Sequence, residues 1–284
     1  MRRAAGLALC LALATSHVNA RTPLDADRLD LCGYNLVFDE TFADFRIASR
    51  TLGDARWTAH TPWNGDFGDA AFADPGPNGP FSVSSNGLAI TARRAADGKW
   101  TSGLIAAADA GGKGSGVRYG YFEASLRMPT GPGTWPAFWL STLKAASDRS
   151  PGIEIDAVEY YGHDDTAYQS AVHVWYDGAD KAKSRHRSRS IPVPPGALEA
   201  GFHDYGVRVT PEDITFYLDR RPMWRQSTPP EHRLPLFPLV DLALGSGFPI
   251  KDTPNPSVLA VKAVRIYAAP AGDATAASCT GAPG

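Results

Sequence analysis

Eight stretches of the chain are rich in β-branched and aromatic residues, and many of them alternate apolar with polar positions at a period of two. They span residues 34–42, 88–94, 118–128, 171–177, 204–210, 213–219, 234–244 and 259–268. That pattern predicts half-buried strands. Between them lie GPGT, ADGK, LDRRP and TPNPS, all turn chemistry. Beyond the N-terminal segment, no window of 12 or more residues shows a 3.6-residue period. Two segments, 58–81 and 177–196, read as long loops. The first is Gly/Pro/Asp-rich but holds Trp63 and Phe67. The second carries Lys181, Lys183, Arg185, Arg187 and Arg189. Such loops in a compact β-domain are functional or disordered. The fold class is therefore all-β, a sandwich or a barrel.

Composition narrows this picture in three ways. The formal net charge is −2 over 284 residues, which gives no reason to expect a nucleic-acid partner. Residues 1–20 read as a signal peptide, with Arg2 and Arg3, an apolar run over 4–15 and a small-x-small site at Val18-Asn19-Ala20. The run is too short for a permanent span, and no later stretch reads as a transmembrane helix. The expectation is cleavage after Ala20, a secreted or periplasmic product with no membrane partner, and one monomeric domain over 21–284. Cys10 leaves with the signal, and Cys32 and Cys279 remain. In an exported protein that pair suggests a disulfide joining the termini, the alternative being two free thiols.

The chemistry concentrates in residues 151–163, PGIEIDAVEYYGH, where Glu154, Asp156 and Glu159 fall within six residues. Acids are poor central-strand residues. A solvated outer face with basic partners is the bland reading, but no lysine or arginine lies between Arg149 and Lys181. The sharper reading is glycoside hydrolysis. It needs two carboxyl groups, about 5–5.5 Å apart for retention and ~6.5–9.5 Å for inversion. A third carboxyl between them can hold a shared proton and separate the two titrations. Parity is the difficulty: Glu159 is five residues from Glu154 and by alternation points to the other face. A β-bulge at Ala157 and Val158 would return it. Flat aromatic faces for stacking on sugar rings are at hand in Trp135 and Trp139, which flank Phe138, and in Trp175, with His173 on the same strand face.

YGYFEASLRMPTGPGTWPAFWLS followed by EIDAVE resembles glycoside hydrolase family 16, the laminarinase/lichenase-like β-glycanases. LVFDETF, FHDYGVRVTPEDITFYLD, LALGSGFP and VRIYA extend the resemblance over about residues 36–268. It implies a concanavalin A-like jelly-roll sandwich of two antiparallel sheets with a concave substrate cleft. It also implies retaining double-displacement hydrolysis of a polysaccharide, a β-glucan or bacterial exopolysaccharide, without cofactor. Glu154 would be the nucleophile, Glu159 the acid and later the base, and Asp156 the group that tunes Glu154. Glu123, Trp135, Trp139, His173 and Trp175 match cleft-lining positions, with Trp63 and Asn64 on a cleft-edge loop. A glycan-binding module without catalysis and a transglycosylase using the same glycosyl-enzyme are the alternatives.

The sequence departs from the family at three places. Ser125 stands where an arginine facing the cleft is usual, and Asp241 where an amide is usual. Lys262 replaces an aspartate that ligates calcium in many members, so no metal is expected there; the Lys262 ammonium would take the ion's place against Glu40. The basic residues from Lys181 to Arg189 read as a solvated hairpin tip, or more sharply as a contact for an acidic polysaccharide.

Overall fold

In the computed structural model, residues 28–63 and 65–270 are described. The expected signal peptide, Asn64 and Cys279 lie outside the described residues. Two sheets account for the strands. The first runs, in spatial order, β16 (Arg221–Ser227), β15 (Asp213–Leu218), β14 (His203–Val209), β9 (Gly120–Arg127), β18 (Ser257–Ala268), β6 (Gly87–Arg94), β7 (Trp100–Ser102) and β4 (Ala71–Phe72). β1 (Asn35–Glu40) pairs with β18, and β5 (Phe81–Ser84) with β6. The second runs β13 (Arg185–Pro192), β12 (Ala167–Trp175), β11 (Gly152–Glu159), β10 (Thr134–Thr142), β17 (Leu236–Leu244), β8 (Leu104–Ala106), β3 (Trp57–Thr58) and β2 (Ile47–Ala48). β2–β3 and β4–β7 are parallel pairs, so the sheets are mixed rather than purely antiparallel. Helix among the described residues is limited to a 3₁₀ turn at Gly178–Lys183 and the single turn α1 (Ala197–Ala200).

The sheets stack because each strand sends alternate side chains inward. Phe122, Ala124 and Leu126 of β9 meet Ile153 and Ile155 of β11 and Val240 and Leu242 of β17 in one buried core. Each such Leu, Ile or Phe contributes roughly 1.5–3 kcal/mol by leaving water. The result is the expected jelly-roll sandwich. β17 is buried along its whole length because its other face is also covered. Phe237, Leu239 and Ala243 form a second apolar cluster with Phe72, Leu104 and Trp139, against which Phe67 packs. The 58–81 segment supplies that cover. It is pinned where the Asp69 N–H donates to the Leu244 carbonyl at 2.8 Å. Gly245 follows at φ +90°, and a Cβ there would lie 2.1 Å from Asp69 Oδ2.

Four expectations change. TWPAFWLST, noted for its aromatics, is the central strand β10, although it contains Pro136. The Pro136 carbonyl still accepts the Tyr160 N–H at 3.0 Å, so the ladder survives the missing donor. The expected loop 177–196 is a 3₁₀ turn followed by β13, whose arginines alternate as strand residues do.

Glu123 does not line the cleft. Its neighbours Phe122 and Ala124 point into the core, so Glu123 faces out from the first sheet, whereas the carboxylate strand belongs to the second. There it accepts Arg220 Nε at 2.8 Å, Arg220 Nη2 at 2.9 Å and the Tyr121 hydroxyl at 2.9 Å. Ser125 shares that outward face by parity, so an arginine in its place would not reach the cleft either.

Lys262 does not approach Glu40. It is the extra residue of a β18 bulge between Val261 and Ala263, and its Nζ lies 6.0 Å from the Phe202 ring centre. Glu40 is served instead by Trp57 Nε1 at 3.0 Å, the Phe42 N–H at 2.6 Å and Arg56 Nη1 at 3.5 Å.

Glu123→Ala leaves Arg220 and the buried Tyr121 hydroxyl without their acceptor. Because Arg220 keeps some contact with water, the expected loss of unfolding free energy in urea titration is about 2–3 kcal/mol. Activity per folded molecule should not change, since Glu123 lies on the sheet opposite the cleft.

Candidate active site

Cross-strand register builds the site. Three rows face away from the core on the second sheet. Asp241, Ala137 and Glu159 form one; Leu239, Trp139, Asp156 and Ala171 the next; Phe237, Ser141, Glu154, His173 and His186 the third. The rows stay aligned because β11 contains one extra residue. Asp156 pairs with Ala171 and Glu159 with Gln169, three residues against two. On the other side Val158 pairs with Phe138 and Asp156 with Trp139, which leaves Ala157 unmatched. The bulge thus falls where parity requires it, and the three carboxylates share one face. Its carbonyl, freed from the ladder, is not orphaned: the Ser170 hydroxyl donates to the Ala157 carbonyl at 2.8 Å.

Each carboxylate has its own partners. Glu159 Oε1 accepts Trp135 Nε1–H at 3.0 Å and the Tyr161 hydroxyl at 3.3 Å. His173 Nε2 lies 3.2 Å from Asp156 Oδ2 and 4.0 Å from Glu154 Oε1, so these three side chains could hold a metal ion. Below them Asp241, 0% exposed, accepts Trp139 Nε1–H on Oδ1 at 2.8 Å and the Ala243 N–H on Oδ2 at 3.0 Å. The two donors meet different oxygens, so an amide turned either way would set its NH₂ against one of them, which accounts for an acid at this position.

Aromatic rings form the walls. On one side Trp175, 48% exposed, stacks on His173 at 5.0 Å and 7°, and His173 stacks in turn on His186 at 5.3 Å. Trp63 meets Trp139 edge-on at 5.9 Å. On the other side Trp135 stacks on Tyr161 at 6.1 Å and 12°, and Phe248 packs against Tyr161 and His163. A cavity of about 650 Å³ opens beside Glu154, lined by Trp63, Trp175, Lys144, Arg149 and Lys181 among others. Of the expected contacts, Trp63, Trp135, Trp139, His173 and Trp175 come together here. Tyr161, His186 and Phe67 were not foreseen. Tyr161 sits two residues beyond Glu159 in the same motif and could have been found there.

The basic segment divides. Arg185, Arg187 and Arg189 stand opposite Val174, Val172 and Ser170 and so turn from the cleft face. Arg185 donates to Glu231 at 2.7 Å. Lys181 alone of the five lines the cavity.

Burial dominates the electrostatics. It pushes Glu154 up to about 8, helped by the Asp156 charge and opposed by His173 and Trp175. It also pushes Asp156 well above the usual carboxylate range, with Glu159 and Asp241 adding to the effect. Asp241 rises to about 8 despite its two N–H donors. Clustered carboxyls under one low-dielectric floor cannot all be charged. A proton on Asp156 removes the largest charge opposing ionisation of Glu154.

Comparison with known proteins gives matches in sequence and in fold. The sequence model for glycosyl hydrolases family 16 matches residues 79–245. The endo-1,3-1,4-β-glycanase ExsH of Rhizobium meliloti is 33% identical over 199 residues, 66% of this chain and 39% of that protein. The endo-1,3-1,4-β-glycanase EglC of the same organism is 33% identical over 175 residues, 58% of this chain and 34% of that protein. The matched region therefore spans well under half of either relative. Among solved structures, the laminarinase from Rhodothermus marinus superposes with a TM-score of 0.63 at 23% identity, covering 84% of this chain and 99% of that one. The catalytic domain of a Thermotoga petrophila endo-1,3-β-glucanase gives 0.63 at 20% identity, covering 83% and 98%.

Raised carboxyl pKa values have a consequence for stability. A carboxyl whose folded pKa exceeds its unfolded value near 4 stabilises the fold at acid pH and loses that contribution as pH rises through the folded value. With Glu154 and Asp241 both at about 8, Tm should fall steadily between pH 5 and 8. Asp241→Asn should flatten part of that slope. It should also cost about 1–3 kcal/mol at pH 5 for the lost Ala243 hydrogen bond. Calorimetry across pH checks both.

Proposed function

The chain belongs to glycosyl hydrolases family 16, and from that premise we propose that it is an exported, retaining endo-β-glycanase acting on a β-glucan or a bacterial exopolysaccharide. The observation that carries the reading is the bulge at Ala157, which sets Glu159 on the face already occupied by Glu154 and Asp156. The likeness to enzymes named endo-1,3-1,4-β-glycanases supports the substrate class. The sequence of residues 1–20 supports export.

In this reading the Glu154 carboxylate attacks the anomeric carbon while Glu159 protonates the departing glycosidic oxygen. Glu159 Oε1 is occupied by Trp135 and Tyr161, so Oε2 is the atom that carries the transferred proton. Water then enters, Glu159 takes its proton, and the Glu154 ester is cleaved with net retention. Asp156 holds a proton beside Glu154 and lets it carry the negative charge that attack requires. Trp63 and Trp175, both exposed, offer ring faces and edges to the sugars.

A finer reading concerns substrate charge. Lys144, Arg149 and Lys181 line the cavity beside Glu154 together with Asp148 and Asp177; Arg149 pairs with Asp177 at 3.6 Å, and Lys144 and Lys181 are the cations left to meet a glycan bearing carboxylates. Salt should then depress cleavage of such a glycan, and leave a neutral β-glucan untouched.

Glu154→Ala should fold normally and lose turnover by several orders of magnitude. Azide, entering the space of the missing carboxylate, should restore cleavage of an activated β-glycoside and yield the inverted α-glycosyl azide. Wild-type activity in Glu154→Ala would refute the nucleophile assignment. A reducing-end assay over laminarin, lichenan, agar, carrageenan and an acidic exopolysaccharide identifies the polymer.

A further inference from the structure

We infer that the same corner of the cleft is a binding site for one divalent d-block metal ion, zinc above all, and that the bound ion shuts the enzyme down. His173 Nε2, Asp156 Oδ2 and Glu154 Oε1 all lie within 4.8 Å of one another. Zinc takes nitrogen and oxygen donors at roughly 2.0–2.2 Å in tetrahedral array, which places its donors about 3.3 Å apart. The His173–Asp156 separation of 3.2 Å meets that value, and the His173–Glu154 separation of 4.0 Å brackets it from above. Glu154 has the freedom to close the difference, since its side chain is 22% exposed.

An independent observation points to a ligand. Asp156 is only 5% exposed, yet its Oδ2 has no hydrogen-bond partner. It faces His173 Nε2 without the alignment that a hydrogen bond needs. A buried oxygen left so is costly, about 1–3 kcal/mol; a proton or a cation between the two atoms would satisfy it, and a metal ion would take the proton's place. The imidazole is held in place for the purpose, clamped between Trp175 and His186.

The donor set selects the ion. One imidazole nitrogen and two carboxylate oxygens suit zinc, copper or nickel. Calcium needs six to eight oxygens, which this corner does not supply. Of the three ligands only Glu154 lines the neighbouring cavity, which leaves room there for water as a further ligand. A metal bonded to Glu154 draws electron density from the carboxylate and so lowers its power to attack the sugar. Binding follows from the geometry alone, whereas inhibition rests on Glu154 being the nucleophile.

The test uses the whole chain in chelator-free buffer, titrated with ZnCl₂ by calorimetry and with Co²⁺ by visible absorption. Wild type should bind one ion, with Co²⁺ giving the intense bands of a low-coordinate nitrogen-containing site. His173→Gln, matched to wild type in Tm, should bind at least about tenfold more weakly. His163→Gln removes an imidazole from the other wall of the cleft and should bind zinc as wild type does. Saturating Zn²⁺ should stop hydrolysis, and EDTA should restore it. Absence of saturable binding, or equal binding by His173→Gln, overturns the site. Binding through His173 with turnover unaffected at saturation overturns inhibition and counts against the nucleophile role. Failure of azide rescue in Glu154→Ala, with zinc binding by the wild-type chain intact, would instead count against catalysis alone.

Discussion

A strand can show a given face only at every second residue, and the site needs three carboxyls on one face within six residues. That constraint governs the architecture. The unmatched residue at Ala157 resolves it locally, but only because the surroundings tolerate a break in two ladders at once. Ser170 takes the freed carbonyl, and Val158 and Tyr160 return to the core on schedule. The bulge is therefore held from both sides, by β10 and by β12, and cannot slip without exposing apolar side chains.

Bringing acids together on a buried floor creates an electrostatic problem that the second sheet resolves with protons rather than with cations. Among the described residues no lysine or arginine forms an ion pair with Glu154, Asp156, Glu159 or Asp241. Indole N–H groups and one imidazole take that role: Trp135 serves Glu159, Trp139 serves Asp241, and His173 lies between Asp156 and Glu154. These groups are polar at one edge and flat and apolar over the rest, so the same residues that orient carboxyls present faces for stacking. Chemistry and recognition share side chains here.

Much of this was legible in the chain, and the misses have physical causes. The extra residue between Asp156 and Glu159 is visible as a parity error, and its remedy follows from strand geometry. Parity also shows that Glu123 and Ser125 share a face, but not which sheet that face belongs to; Glu123 meets Arg220 across 97 residues of sequence. Pro136 hid β10, because proline in a central strand is rare, and three alternating arginines hid β13. The acid at Asp241 was visible as an oddity. Its reason lies in Trp139, 102 residues away, and no local pattern carries that information. The Lys262 expectation failed because a bulge in β18 turns the side chain elsewhere.

The alternation of β13 bears on how separate copies of this chain meet. The strand ends its sheet, and residues 185–190 are exposed. Its outer backbone is an open row of donors and acceptors, a template for a strand of another molecule. Three guanidinium groups at every second position make such an addition repulsive, since each copy would bring the same charges to the seam. At the far end of the sheet the edge strand β2 has two residues, too few to template anything. The charges on β13 thus guard an open edge rather than the cleft, and a chain stripped of them would keep its cleft while losing that guard.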